Sequence, residues 1–305
     1  MAGNSGKKSP GKELSHQLEA LYKRINGLTG GSLGIAYDAI QHFGSANAAE
    51  AAASITFYAI FSLFPFLLAL IVGGSFVLQS EQVQQWVLDI VTRVFPVAER
   101  LIERNIQVVL GRRGAVGLIA LISLVWSATG ALTVLARNIN RAWPESEPRS
   151  FVEDRLMALG MVTGLAVLLG TSSVLNTVLN VLARFSVPIG GGFSVDETPL
   201  WTTLLIATPR LLAFFALLGL YRWVPNTKVR WSEAFWGALV ATPAGEIATS
   251  GFSWYLSSGI VQYELVYGSL GTVVALMLWI YIGVLITLFG AHLSAAVTRY
   301  KRGRQ

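Results

Sequence analysis

The sequence predicts an all-α, polytopic membrane fold: six transmembrane helices, with additional amphipathic helices at the interface. Three observations lead there. Apolar stretches at roughly 51–78, 115–136, 156–183, 200–221, 233–259 and 270–297 are each long enough to span a bilayer. The hydrocarbon core is ~30 Å thick, and a helix rising ~1.5 Å per residue needs ~20 apolar residues to cross it. Hydrophobic residues make up 53% of the chain and charged residues only 13%, about half the charged share of a soluble domain. Those charges fall mainly between the stretches. Lipid offers no partner for backbone N–H and C=O, so each stretch is expected to be a helix.

Residues 1–50 read as a cytoplasmic tail with amphipathic helices. Positions 1–12 (MAGNSGKKSPGK) are small, basic and rich in Gly and Pro, the composition of a disordered tail. The GNSGKKS segment lacks the glycine spacing and the preceding strand of a phosphate-binding loop. Leu14, Leu18, Leu21, Ile25 and Leu28 recur at helical spacing, and Leu33, Tyr37, Ile40 and Phe43 give a second, shorter helix near the membrane.

The membrane domain is expected over 51–298, interrupted by an extracytoplasmic insertion at 79–114. There Val83, Trp86, Ile90, Val94, Leu101, Ile102, Ile106 and Val109 keep the helical period, and Pro96 divides them into two helices. Lying flat on the outer interface is the plain reading of this pair; a lid over a cavity is the sharper one. Gly160 and Gly164 form a GxxxG in the third span, which predicts close helix packing. Residues 299–305 form a basic cytoplasmic tail.

Charge sets the orientation. Lys7, Lys8, Lys12, Lys23 and Arg24 precede the first span; Arg137, Arg141, Arg149 and Arg155 follow the second. Arg222, Lys228 and Arg230 follow the fourth, and Arg299, Lys301, Arg302 and Arg304 close the chain. The connections at 185–199 and 260–269 have no Lys or Arg. Positive charge stays on the cytoplasmic side, so both termini are expected inside. The insertion runs against this with Arg93, Arg100, Arg104, Arg112 and Arg113, partly offset by Glu81, Asp89, Glu99 and Glu103. The net charge of +6 is therefore read as orientation and attraction to anionic lipid, with no nucleic acid as partner. The absence of cysteine rules out disulfides and thiolate metal sites, and the polar first fifty residues do not read as a cleavable signal peptide.

Polar groups inside the spans supply the candidate site. Thr242, Glu246, Thr249, Ser250, Ser253 and Ser257 fall on one face of the fifth span, and Glu246 lies near its middle. Arg210 lies near the middle of the fourth span, which runs the other way, so the two reach similar depth. A charge at the bilayer centre costs at least ~2.5–3.5 kcal/mol on insertion scales. The predicted remedy is an Arg210–Glu246 pair, either a lock between two helices or a functional site. As a site, the carboxylate would carry a proton or bind a cation, and the guanidinium would hold a phosphate or carboxylate. Glu50, Ser54, Tyr58 and Ser62 line the first span; Ser173, Asn176, Asn180 and Arg184 line the third. These read as interhelical hydrogen-bond partners or as the walls of a path. Pro65, Pro209 and Pro243 sit near mid-span, where each removes a donor and frees a carbonyl.

SITFYAIFSLFPFLLAL (54–70), YRWVPNTKVRWSEAFWGAL (221–239) and YGSLGTVVALMLWIYIGVLITLFGAHLSAAV (267–297) resemble, in order and spacing, the signature segments of the YihY/BrkB family over roughly 30–297. The resemblance implies six membrane helices with extra amphipathic ones, in the inner (plasma) membrane of a bacterium. The family has carried two labels, virulence factor and ribonuclease BN. The chain departs from the family pattern at GAHL (290–293), where His292 stands in place of an expected Glu. A titratable imidazole there either takes over the carboxylate's role or is a helix-end residue near the cytoplasmic interface.

Enzyme chemistry is not expected. RNA cleavage needs a metal cluster or positioned acid–base groups, whereas His16, His42 and His292 lie in three separate regions. No cofactor or metal is expected, no nucleotide-binding motif points to ATP-driven pumping, and no filter sequence points to a channel. The expected function is transport, or the handling of a lipid or amphiphile, with membrane lipids as partners. The central site would be Arg210 and Glu246, with the stripes of Ser54, Tyr58, Asn176, Asn180, Thr242, Thr249, Ser250 and Ser253 lining the path. The competing expectation is a non-transporting scaffold for envelope assembly.

Overall fold

A computed structural model of the chain describes residues 31–77, 113–184, 199–258 and 271–303. The tail at 1–12, the helix expected over 14–28, the insertion as far as 112 with its break at Pro96, and most of the two connections without Lys or Arg lie outside the described residues. Among the described residues there are seven helices and no strand, so the fold is all-α. The helices are α1 Ser32–Ser45, α2 Ala48–Val77, α3 Arg113–Arg141, α4 Phe151–Arg184, α5 Pro199–Trp223, α6 Trp231–Ser257 and α7 Gly271–Arg302.

Local chemistry fixes where these helices begin and end. Gly31 precedes α1 with φ of 95°, and a side chain there would run into the ring of Tyr300; only glycine suits both demands. The turn into α2 uses Asn47 at φ 51°, a left-handed conformation that asparagine tolerates. At the start of α4 the Ser150 N–H donates to Glu153 Oε2 at 2.8 Å, and the Glu153 N–H donates to Ser150 Oγ at 3.4 Å. That reciprocal capping box satisfies donors the first turn leaves free. At the start of α6, Glu233 Oε2 accepts the Arg230 N–H at 2.9 Å.

The helices from α2 onward form a closed circuit: α2 packs on α3, α3 on α4, α4 on α5, α5 on α6, α6 on α7, and α7 returns to α2. Buried apolar residues gather at one end of it. They are Ala48, Ala52 and Ile55 at the start of α2, Ala136 and Ile139 at the end of α3, Leu218 and Tyr221 at the end of α5, Ala234 to Ala241 early in α6, and Leu288 to Ala295 late in α7. We call this the loop end, because the connections at 142–150 and 224–230 close it. Tyr221 is fully buried there and donates its hydroxyl to the Thr287 carbonyl at 2.9 Å.

Close approach at the loop end rests on small residues. A Cβ on Gly237 would collide with Ser294 Oγ and the Gly290 carbonyl, and one on Gly290 would collide with the Tyr221 hydroxyl. Between apolar helices in lipid, such contact replaces the hydrophobic drive that water would supply. The GxxxG of the third span does not take part. A side chain on Gly160 or Gly164 would meet nothing within 4 Å, because α4 turns Met157 and Met161 toward the core instead.

α1 packs across α7 through Ile35, Ala39 and Phe43, and Asp38 pairs with Arg299 at 2.6 Å. Of the apolar residues expected on its face, Phe43 turns inward, while Leu33, Tyr37 and Ile40 are exposed. His292 is not at a helix end, since α7 runs on to Arg302. It is 2% exposed, lies edge-on to the Phe43 ring at 5.7 Å, and its Nδ1 has no hydrogen-bond partner among the described residues.

Elsewhere the exterior is apolar: Phe57, Trp126, Val167, Phe215, Trp236, Ile247 and Trp254 are all exposed, a surface rare on soluble monomers. By length and composition, one helix among the described residues, Val273–Arg302, is long and apolar enough to cross a membrane, and Ala48–Ser62 is a shorter apolar helix.

Candidate functional site

Arg210 and Glu246 meet. Arg210 Nε donates to Glu246 Oε2 at 3.2 Å, and the two side chains are 54% and 47% exposed. The position of Arg210 follows from helical spacing. Phe214, Leu217 and Tyr221 follow it at intervals of four, three and four, so all four lie on one face of α5. That face packs into the core at the loop end, and three turns further along it carries a guanidinium.

α6 meets α5 through Phe235, whose ring stands edge-on to Phe214 at 5.5 Å. Glu246 lies eleven residues beyond Phe235, three turns along the same face. The two charges thus extend a contact that aromatic rings begin.

The stripe of α6 divides into three parts. Thr242 is half-buried and its Oγ1 has no hydrogen-bond partner among the described residues. Thr249 is exposed and donates to the Gly245 carbonyl of its own helix at 2.8 Å. Ser250 and Ser253 are exposed. The apolar Trp236, Val240, Ile247 and Trp254 occupy the flank away from α5 and α7 and are exposed. Pro209 and Pro243 stand beside Arg210 and Thr242, and α5 and α6 continue through them. Each proline removes one intrahelical bond next to a polar group.

The remaining candidates lie on α2 and α4. Ser54 is exposed on α2, and the Tyr58 ring occupies the space beside Gly130 on α3. Asn176 and Asn180 lie on α4, and their side chains lie outside the described set.

Sequence reasoning missed the polar frame of the loop end. Asn140 Oδ1 accepts the Asn226 N–H at 2.7 Å, and both asparagine amides donate to the Glu147 carbonyl at 3.1 Å. Arg149 donates to the Val224 carbonyl at 2.6 Å. Arg137 Nε donates to Asp154 at 2.6 Å, and Arg299 reaches both Asp38 and the Ala142 carbonyl. The signal in the sequence is the polar VPNTKVR run (224–230) beside an arginine-rich connection, which charge placement and family likeness do not resolve into hydrogen bonds.

Among the described residues this chain is all-helical, with an apolar exterior and with Arg210 and Glu246 paired midway along two long helices, the build of a membrane protein. It belongs to the virulence factor BrkB family, whose model matches residues 39–305. Among curated relatives, a UPF0761 membrane protein of Alteromonas mediterranea is 32% identical over 203 residues, 66% of either chain. One from Legionella pneumophila strain Corby is 29% identical over 269 residues, 87% of this chain and 62% of its own. A putative ribonuclease-like protein of Bacillus subtilis, YfkH, is 24% identical over 264 residues, 86% of this chain and 92% of its own. The chain spans 66% and 62% of the length of the first two of these relatives. No solved structure matches.

Proposed function

We propose that this chain is a multi-pass protein of the bacterial inner membrane, with both termini cytoplasmic and α2 to α7 as its six spans. In this reading it moves or handles a lipid or amphiphile past a mid-membrane polar site formed by Arg210 and Glu246. The helix lengths support the spans: the shortest of the six has 25 residues, about 38 Å at the α-helical rise, against a hydrocarbon core of ~30 Å. The observation that carries the site is the ion pair itself. Two groups that insert at a cost meet at 3.2 Å yet keep about half their side-chain surface open. An open pair lets an anionic headgroup exchange with Glu246 for the guanidinium.

The test is translocation of fluorescently labelled phosphatidylglycerol in proteoliposomes, followed by dithionite quenching. Wild type is expected to exceed protein-free vesicles. Glu246→Gln and Arg210→Ala are each expected to slow translocation roughly tenfold, about 1.4 kcal/mol on the barrier. Unchanged rates in both variants remove the central site, and a wild-type rate equal to that of empty vesicles removes lipid translocation.

The second reading, a non-transporting scaffold for envelope assembly, draws on the tightly packed loop end. A ribonuclease role, suggested by the name of one relative, is not our reading. Glu153 and Asp154, the acidic pair nearest the basic connection, are occupied by the capping box and by Arg137. RNA cleavage by purified protein, lost on substituting those two residues, would overturn that view.

A further inference from the structure

The connection between α3 and α4 encloses a cleft that the mid-membrane site does not use. Its volume is about 490 Å³, and Arg137, Asn140, Arg141, Trp143, Ser146 and Arg149 line it together with Asp154. That volume is within the usual range for a small-molecule site.

Three guanidiniums face one carboxylate, and the carboxylate is committed to Arg137 Nε at 2.6 Å. Arg141 gives NH1 to Asn138 at 3.3 Å, and Arg149 gives NH2 to the Val224 carbonyl. Among the described residues, the other N–H groups of Arg137 and Arg141 have no protein partner. The frame around the cleft is held in place. Asn140 is tied to Asn226 and Glu147, and the Ser146 hydroxyl donates to the Asn140 carbonyl at 2.6 Å. Trp143 also lines the cleft and is 4% exposed.

We propose that this cleft binds a phosphoryl-bearing anion. Forked guanidiniums fixed at the rim suit phosphate oxygens, which accept two parallel N–H bonds from one arginine. The anion has two sources to distinguish, an acidic phospholipid headgroup from the inner leaflet or a free phosphate. The inference does not rest on the Arg210–Glu246 site and stands or falls separately.

The test uses the full chain in phosphatidylcholine nanodiscs, titrated with dihexanoyl-phosphatidylglycerol, dihexanoyl-phosphatidylcholine and inorganic phosphate, with thermal midpoint and tryptophan emission as readouts. Wild type is expected to bind the short-chain phosphatidylglycerol. Arg141→Gln, at an exposed side chain, is expected to raise the apparent Kd by roughly fivefold or more, the worth of one arginine near a membrane surface. Lys228→Gln, which removes a cation from the same end but outside the cleft, should leave it unchanged. Competition by inorganic phosphate supports the free source, and its failure supports the headgroup. Equal binding of the phosphatidylcholine analogue, or wild-type affinity in Arg141→Gln, overturns the proposal.

Discussion

Glu153 shows how one side chain can serve a fold without serving a reaction. The Ser150 backbone N–H, then the Ser150 hydroxyl, then the nearby Arg149 charge hold its carboxyl below the usual carboxylate range. Because the folded group is more acidic than the unfolded one, its contribution is complete above the unfolded pKa. It is lost as pH falls through the folded pKa. Hydrogen exchange of the amides at 151–154, corrected for intrinsic rate, should therefore show protection that fades on acidification through the carboxylate range. Glu153→Gln should flatten that dependence, whereas an unchanged profile would mean that the carboxylate does not hold the turn. Arg210 and Glu246 belong to the same scale. They could be read in advance because a charge within an apolar run demands a partner, and antiparallel neighbours leave few partners at the right depth. The Asn140–Asn226 clamp was not legible. Polar residues in a polar connection satisfy each other in many ways, and sequence does not choose among them.

At the scale of elements, α6 and α7 approach closely where they cross, and the approach is made by glycine. Gly237→Leu should lower stability by about 1–3 kcal/mol through overpacking, seen as a fall in thermal midpoint. Gly160→Leu should leave the midpoint unchanged or slightly higher, since its site is open and an interior helical glycine already costs about 0.5–1 kcal/mol. Equal losses in the two variants would contradict the packing. The contrast also explains a misreading. GxxxG marks two small residues on one helix, but close approach requires a partner with matching small residues, and those lie at Gly290 and Ser294 on α7. Periodicity identifies α1 as an amphipathic helix, and Leu33, Tyr37 and Ile40 stay exposed on it. Which of its residues meet α7 was not legible: Ala39 and Phe43 pack there, beside the Asp38–Arg299 pair.

At the scale of the molecule, the all-helical architecture and the membrane character were legible from composition and from the length of the apolar runs. The closed circuit of helices was not, because hydropathy reports which segments meet lipid and says nothing of which segments meet each other. The proposed orientation can be checked directly, since the chain has no cysteine. Lys228→Cys should be shielded from a membrane-impermeant maleimide in intact cells, and Ser194→Cys should be labelled. The reverse pattern would invert the topology.

The central proposal is that the Arg210–Glu246 pair works rather than merely locks. Thermal midpoint and phosphatidylglycerol translocation should be measured together for Arg210→Gln, Glu246→Gln and the double variant. Replacing both members of an ion pair can be nearly neutral for stability, whereas removing one leaves a charge uncompensated. The double variant is therefore expected to regain a midpoint near wild type while its translocation stays at the level of the single variants. Wild-type translocation in a stable double variant would contradict the account.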